Sequence, residues 1–172
     1  MNLLTNDNAL ILWRDTVKEA EDQCSILLKQ ELENYLVTLL AQYSRKPEIA
    51  KQVFATAFLE AQHAHDNYSL QQMGDQCLLF AGLFPRAAEG KLVKVSYFVD
   101  LGRSAYTSIS IKTNDLFSSL AFQFVMLMDI LQSIRPQPNL LPLEAYEQWN
   151  ELGSQRALRI LQEYTRNNAL PK

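Results

Sequence analysis

The feature that most constrains this chain is a run between Ser69 and Ile109 in which small residues and aromatics share helical faces. Gly74, Gly82, Gly102 and Ala105 are interleaved with Phe84, Tyr97, Phe98 and Tyr106. Small side chains beside large ones let one helix seat against another. From Val95 onward, the stripe Phe98, Gly102, Ala105, Ile109 leaves almost no side chain at its middle. It predicts close approach of a neighbouring backbone, with Tyr97, Leu101 and Tyr106 filling the flanks. The run is an instruction for packing rather than for chemistry, since no nucleophile in it stands beside a base.

Helical periodicity continues on both sides. Leu10, Trp13, Val17, Ala20 and Cys24 form one apolar face, and Leu28, Leu32, Tyr35, Leu36, Leu39, Leu40 and Tyr43 form another. Two helices, or one bent one, between residues 8 and 44, with the break from Gln23 to Gln30, suit a compact domain better than one very long straight helix. Pro47 suits the first turn of a third helix, with Ile49, Val53, Phe54, Ala57, Phe58 and Ala61 facing inward and an end near Asn67. Ser69 with Gln72 reads as a capping box opening a fourth helix, which Pro85 closes. A fifth follows from Val95. Asp115 caps a sixth helix that runs through Ile134, is apolar nearly all round and is therefore central. Pro142 opens the last helix, whose inner face holds Tyr146, Trp149, Leu152, Gly153, Ala157, Ile160, Leu161 and Tyr164. Arg159 and Arg166 complement the C-terminal end of its dipole.

The fold class is therefore all-α: one domain over residues 1–172, a bundle of six or seven helices with a central apolar helix near 115–134. Leu92 to Val99 and Tyr106 to Ile111 have local strand character but are assigned to no sheet.

A chain of 172 residues, 48% of them hydrophobic, can bury a core without a metal or disulfide to hold it. Cys24 and Cys77 lie far apart and form no Cys-x-x-Cys pair, so they read as two buried thiols in a reducing compartment. The net charge of −3 is unevenly shared, with 6 basic and 11 acidic residues up to position 80. A nucleic-acid partner, which needs a dense basic stripe, is not expected. Leu116 to Ile134 has membrane-helix length but carries Ser118, Ser119, Gln123, Asp129, Gln132 and Ser133, so a buried helix is expected there and no membrane. Met1 to Leu12 lacks the pattern of an export signal, and the expected location is the cytoplasm.

The pattern Gly74-Asp75-x-x-Leu78-x-x-Gly82-Leu83-Phe84-Pro85, followed by Ser96-Tyr97-Phe98-x-x-Leu101-Gly102-Arg103-x-Ala105-Tyr106, resembles a group of bacterial proteins with no assigned activity. Glu33-x-Tyr35-Leu36-Val37-x-Leu39-Leu40 is similar to the upstream helix of that group. The resemblance implies a bacterial cytoplasmic protein of mostly helical fold and carries over no catalytic role.

Glu60-Ala61-Gln62-His63 has the spacing that di-iron bundles use, yet His65 faces about 200° away around the helix and no second Glu-x-x-His exists. No metal and no cofactor is expected. Asp75 reads as a carboxylate at the start of an apolar helix or as the buried partner of Arg103. Asp75, Tyr97, Arg103 and Tyr106 are the candidate ligand-binding residues. Lys94, Arg86 and Lys91 lie in a locally basic span, residues 86 to 112 holding 5 basic and 2 acidic side chains. Ser104, Ser108 and Ser110 have no base nearby in sequence, and no catalytic residue is assigned. The leading expectation is a non-enzymatic interaction or scaffold protein with a protein partner or as a homo-oligomer. The alternative is a small-molecule-binding protein or enzyme with a pocket near Asp75, Tyr97, Arg103 and Tyr106.

Overall fold

The structure, a computed structural model, describes residues 2–47, 66–85, 94–109, 115–134 and 140–168. Among these residues the chain forms eight helices and no strand: α1 (Asn2–Cys24), α2 (Gln30–Arg45), α3 (Asn67–Leu83), α4 (Val95–Thr107), α5 (Leu116–Phe122), α6 (Phe124–Ile134), α7 (Pro142–Leu152) and α8 (Gln155–Asn168). The helix expected from Pro47, and with it Glu60, His63 and His65, falls outside the described residues, as do Arg86, Lys91 and Ser110.

The break between α1 and α2 falls inside the expected window. Ser25 adopts φ +54, a left-handed turn in which Ile26 N–H donates to the Glu21 carbonyl at 2.9 Å and so closes the end of α1. The buried Glu21 carboxylate then accepts from Leu28 N–H at 3.1 Å, bracing the turn into α2. Near the other end of α2, Trp13 Nε1 donates to Ser44 Oγ at 2.9 Å.

Three sequence expectations need correction. The cap of α3 is Asp66 rather than Ser69: Ser69 N–H and Oγ both donate to the Asp66 carboxylate, at 3.3 and 2.5 Å, so the helix starts earlier than the Ser69–Gln72 pair implied. The span from 115 to 134 is two helices bent by 70° at Gln123, rather than one. Asp115 occupies the cap position of α5 but makes no side-chain capping bond. The last expected helix is also two, because Gly153 takes φ +71 and Ser154 Oγ accepts from Ala157 N–H at 3.0 Å, which ends α7 and begins α8 within two residues.

α6 is central, as its all-round apolar pattern implied. It packs against α1, α3, α4, α5 and α8, and Phe124, Leu127, Met128, Ile130 and Leu131 are fully buried. Among the described residues no single helix is long and apolar enough to cross a membrane.

The small residues act as sockets for side chains rather than as grooves for a backbone. A Cβ at Gly102 would stand 2.5 Å from Phe124 Cζ and 2.8 Å from Cys77 Cβ. At Gly74 it would overlap the Tyr106 ring, and at Gly82 the Leu131 side chain. α3, α4 and α6 are thus keyed together by three large side chains entering three helical glycine sites.

Gly102→Ala tests this directly. On helix propensity alone it would stabilise by about 1 kcal/mol. Because the added Cβ would overlap the fully buried Phe124 ring and Cys77, one of which must shift, we expect net destabilisation of about 1–2 kcal/mol in urea unfolding.

Candidate functional site

The polar centre of the bundle is Asp75, in the middle of α3. Tyr35 Oη from α2 and Tyr106 Oη from α4 both donate to its Oδ1, at 2.5 and 2.6 Å. Gln71, one turn earlier on α3, donates from Nε2 to Tyr35 Oη at 3.1 Å. The result is a directed chain, Gln71 to Tyr35 to Asp75, met from the other side by Tyr106. Local sequence explains the convergence: because Gly74 has no side chain, the Tyr106 ring lies over it and places its hydroxyl on the very next residue. Phe117 of α5 meets both tyrosines, with centroids 6.3 Å from Tyr35 and 6.1 Å from Tyr106, and Phe124 lies 6.0 Å from Tyr106.

Asp75 as a whole is only partly buried, yet its carboxyl is enclosed by these rings. That loss of solvent pushes its pKa up to about 7, while the two phenol hydrogen bonds pull the other way. Burial and the neighbouring carboxylate raise both phenols well above the ordinary tyrosine range. The tyrosines are therefore held neutral, as donors. The cluster can store and release one proton at Asp75 near neutral pH.

Of the residues singled out in the sequence, the structure brings Asp75 and Tyr106 together. Arg103 is not the partner of Asp75: its Nε donates to the Ala121 carbonyl at 3.2 Å, in the last turn of α5. The guanidinium thus braces the bend at Gln123. Tyr97 lies nine residues before Tyr106 on α4, about 13 Å along the axis and on the opposite side. It is exposed, with its ring edge against Phe98. Lys94 is paired with Glu151 of α7 at 2.9 Å.

Sequence reasoning placed Tyr35 on an apolar face and in the Glu33-x-Tyr35 pattern without giving it a role, and passed over Gln71. The available signal was that a tyrosine buried in such a face must find a partner for its hydroxyl. Asp129 was read only as a polar residue of the apolar span and given no role. It is buried on α6 and accepts from Ser154 Oγ at 2.6 Å. Burial raises its pKa to about 6, against the pull of Ser154, Arg156 and Arg159. Among the described residues no group of three or more His, Cys, Asp or Glu side chains is arranged to hold a metal. Comparison with protein families, with curated proteins and with solved structures finds no match.

The raised carboxyls set the sign of the pH dependence. Asp75 has an ordinary pKa of 3.8 and a folded value of about 7, so between those limits the folded chain holds a proton that the unfolded chain has released. Stability is greatest at the acid side, falls as pH rises through 7 and is level above it. Asp129 and Glu21 act in the same direction. We expect the urea midpoint to be higher at pH 5 than at pH 8. Asp75→Asn should flatten the part of this slope nearest pH 7, an effect bounded by about 4 kcal/mol. An unchanged slope in that variant would place the proton uptake elsewhere.

Proposed function

We propose that this is a helical interaction protein that works by docking to a protein partner rather than by chemistry. The observation that carries the reading is the outer face of α7. Leu143, Tyr146 and Trp149 recur every third residue and are 68%, 46% and 36% exposed. Tyr146 and Trp149 meet at 6.1 Å, so the two rings form a continuous ridge. On this helix only Ala145 and Gln148 are buried. A short helix that turns its largest apolar side chains outward has the form of the helix-in-groove mode of recognition.

Its rim sets the partner's chemistry. Glu144, Glu147 and Glu151 make α7 acidic, with no basic residue in its last turn. The face suits an apolar groove bordered by Lys or Arg, and repels a second copy of itself. The Asp75 cluster supports the same reading, because its hydrogen bonds are directed into the bundle and its phenols are held as neutral donors.

A photo-reactive residue at Asn150, exposed and in line with Leu143 and Tyr146, provides the test in cells. One discrete adduct is expected, and it should disappear with Leu143→Glu/Tyr146→Glu. Those exposed changes should leave the unfolding free energy within about 0.5 kcal/mol of the parent. No discrete adduct, an adduct indifferent to the double change, or an adduct of twice the chain's own mass would each overturn the reading, the last in favour of self-association.

A further inference from the structure

The α7–α8 hairpin has an apolar cluster of its own. Leu140, Ala145, Ala157 and Ile160 are buried together, with Leu161 and Tyr164 packed against them, separate from the main core. Among the described residues, Leu152 of the hairpin packs against that core. Polar contacts also join hairpin and body. Ser154 Oγ donates to Asp129 Oδ1, Arg156 Nη1 donates to Gln132 Oε1 at 3.0 Å, and Arg159 Nη1 donates to the Cys24 carbonyl at 2.9 Å. Lys94 Nζ meets Glu151 at 2.9 Å at the far end of α7.

Two features count against closure. Gln148 is buried on α7, beside Lys94, Val95 and Ser96 of the body, and neither atom of its amide has a hydrogen-bond partner. Opening would return that amide to water, which satisfies it. Asp129 and Arg156 are likewise withdrawn from solvent on closing, and a desolvated polar contact regains little beyond what water supplied. An element with its own apolar cluster and a polar seam has the composition of a unit that opens separately from the rest.

We infer that the α7–α8 hairpin is a hinged arm that opens from the body as a unit and is held shut by the Ser154–Asp129 and Arg156–Gln132 contacts. One reporter lies at the seam, where body and hairpin both reach it. Cys24 ends α1 outside the main apolar cluster, with its Sγ 3.6 Å from the Asp129 carbonyl and its own carbonyl held by Arg159. Cys77 lies inside that cluster between α3 and α4, with no exposed surface, and reports opening of the body itself. The inference does not depend on what docks to α7.

Labelling of the full-length native protein with N-ethylmaleimide, read by mass spectrometry at each cysteine, tests it. Cys24 is expected to react at least tenfold faster than Cys77. Arg156→Gln and Ser154→Ala should each accelerate Cys24 a further several-fold and leave Cys77 unchanged. In the same variants, amides of α7 and α8 should exchange with deuterium together while those of α3 and α6 stay protected. Equal rates at the two cysteines, acceleration of both by the latch variants, or a Cys24 rate indifferent to them would overturn the inference. So would fast Cys24 labelling with α8 amides still protected, which would assign exposure to fraying of α1.

Discussion

The structure depends on three large side chains entering helical sites that have no side chain of their own. Tyr106 lies over Gly74, Phe124 against Gly102 and Leu131 against Gly82. Each contact joins a different pair among α3, α4 and α6, so the three helices are fixed in rotation and translation at once. Dispersion and apolar burial favour any close packing, but a ring in a glycine site admits only one register, because a shift of one residue drives it into a Cβ. The remaining helices assemble on that wedge: α1 covers α6, α2 reaches the wedge through Tyr35, and α5 closes it with Phe117.

Placing a tyrosine in a glycine site also carries its hydroxyl inside, and the interior must then supply an acceptor. Asp75 is that acceptor, shared by Tyr106 and Tyr35. The carboxyl follows from the packing: it satisfies two buried phenols, at the cost of its own solvation, which appears as an acid titrating near neutrality. Asp129 repeats this on the other side of the core, where it receives the cap residue of α8 and joins the C-terminal hairpin to the body by hydrogen bonds rather than apolar area. Two buried carboxyls thus do different work. One fastens the centre of the bundle, and the other fastens an element with a small core of its own.

Much of the helix content was legible from apolar spacing. The faces of α1 and α2, Pro85 closing α3, Pro142 opening α7 and the central place of α6 follow from rules that act within a few residues. Departures occurred where a local signal competed with a contact made elsewhere. Gln123 carries no breaker, and the bend there is supported by Phe124 entering Gly102 and by Arg103 reaching the Ala121 carbonyl, both contacts with α4. Gly153 did carry the signal for a break, since a left-handed residue followed by a serine cap ends one helix and starts the next. Its position on an apparently continuous apolar face concealed it.

The amino-acid sequence by itself determined that the described elements are helices, that the apolar span 115–134 holds the centre of the bundle, and that the glycines around α3 and α4 mark close contacts. These properties depend on periodicity and side-chain size, which are local. Only the tertiary structure decided what enters those glycine sites, that Asp75 meets two tyrosines rather than Arg103, and that Ser154 reaches Asp129. The hydrogen-bonded pairs among these join residues 25 to 40 positions apart. Hydrogen bonds at such separation have no sequence period, and their partners are chosen by which helices the core packing brings face to face.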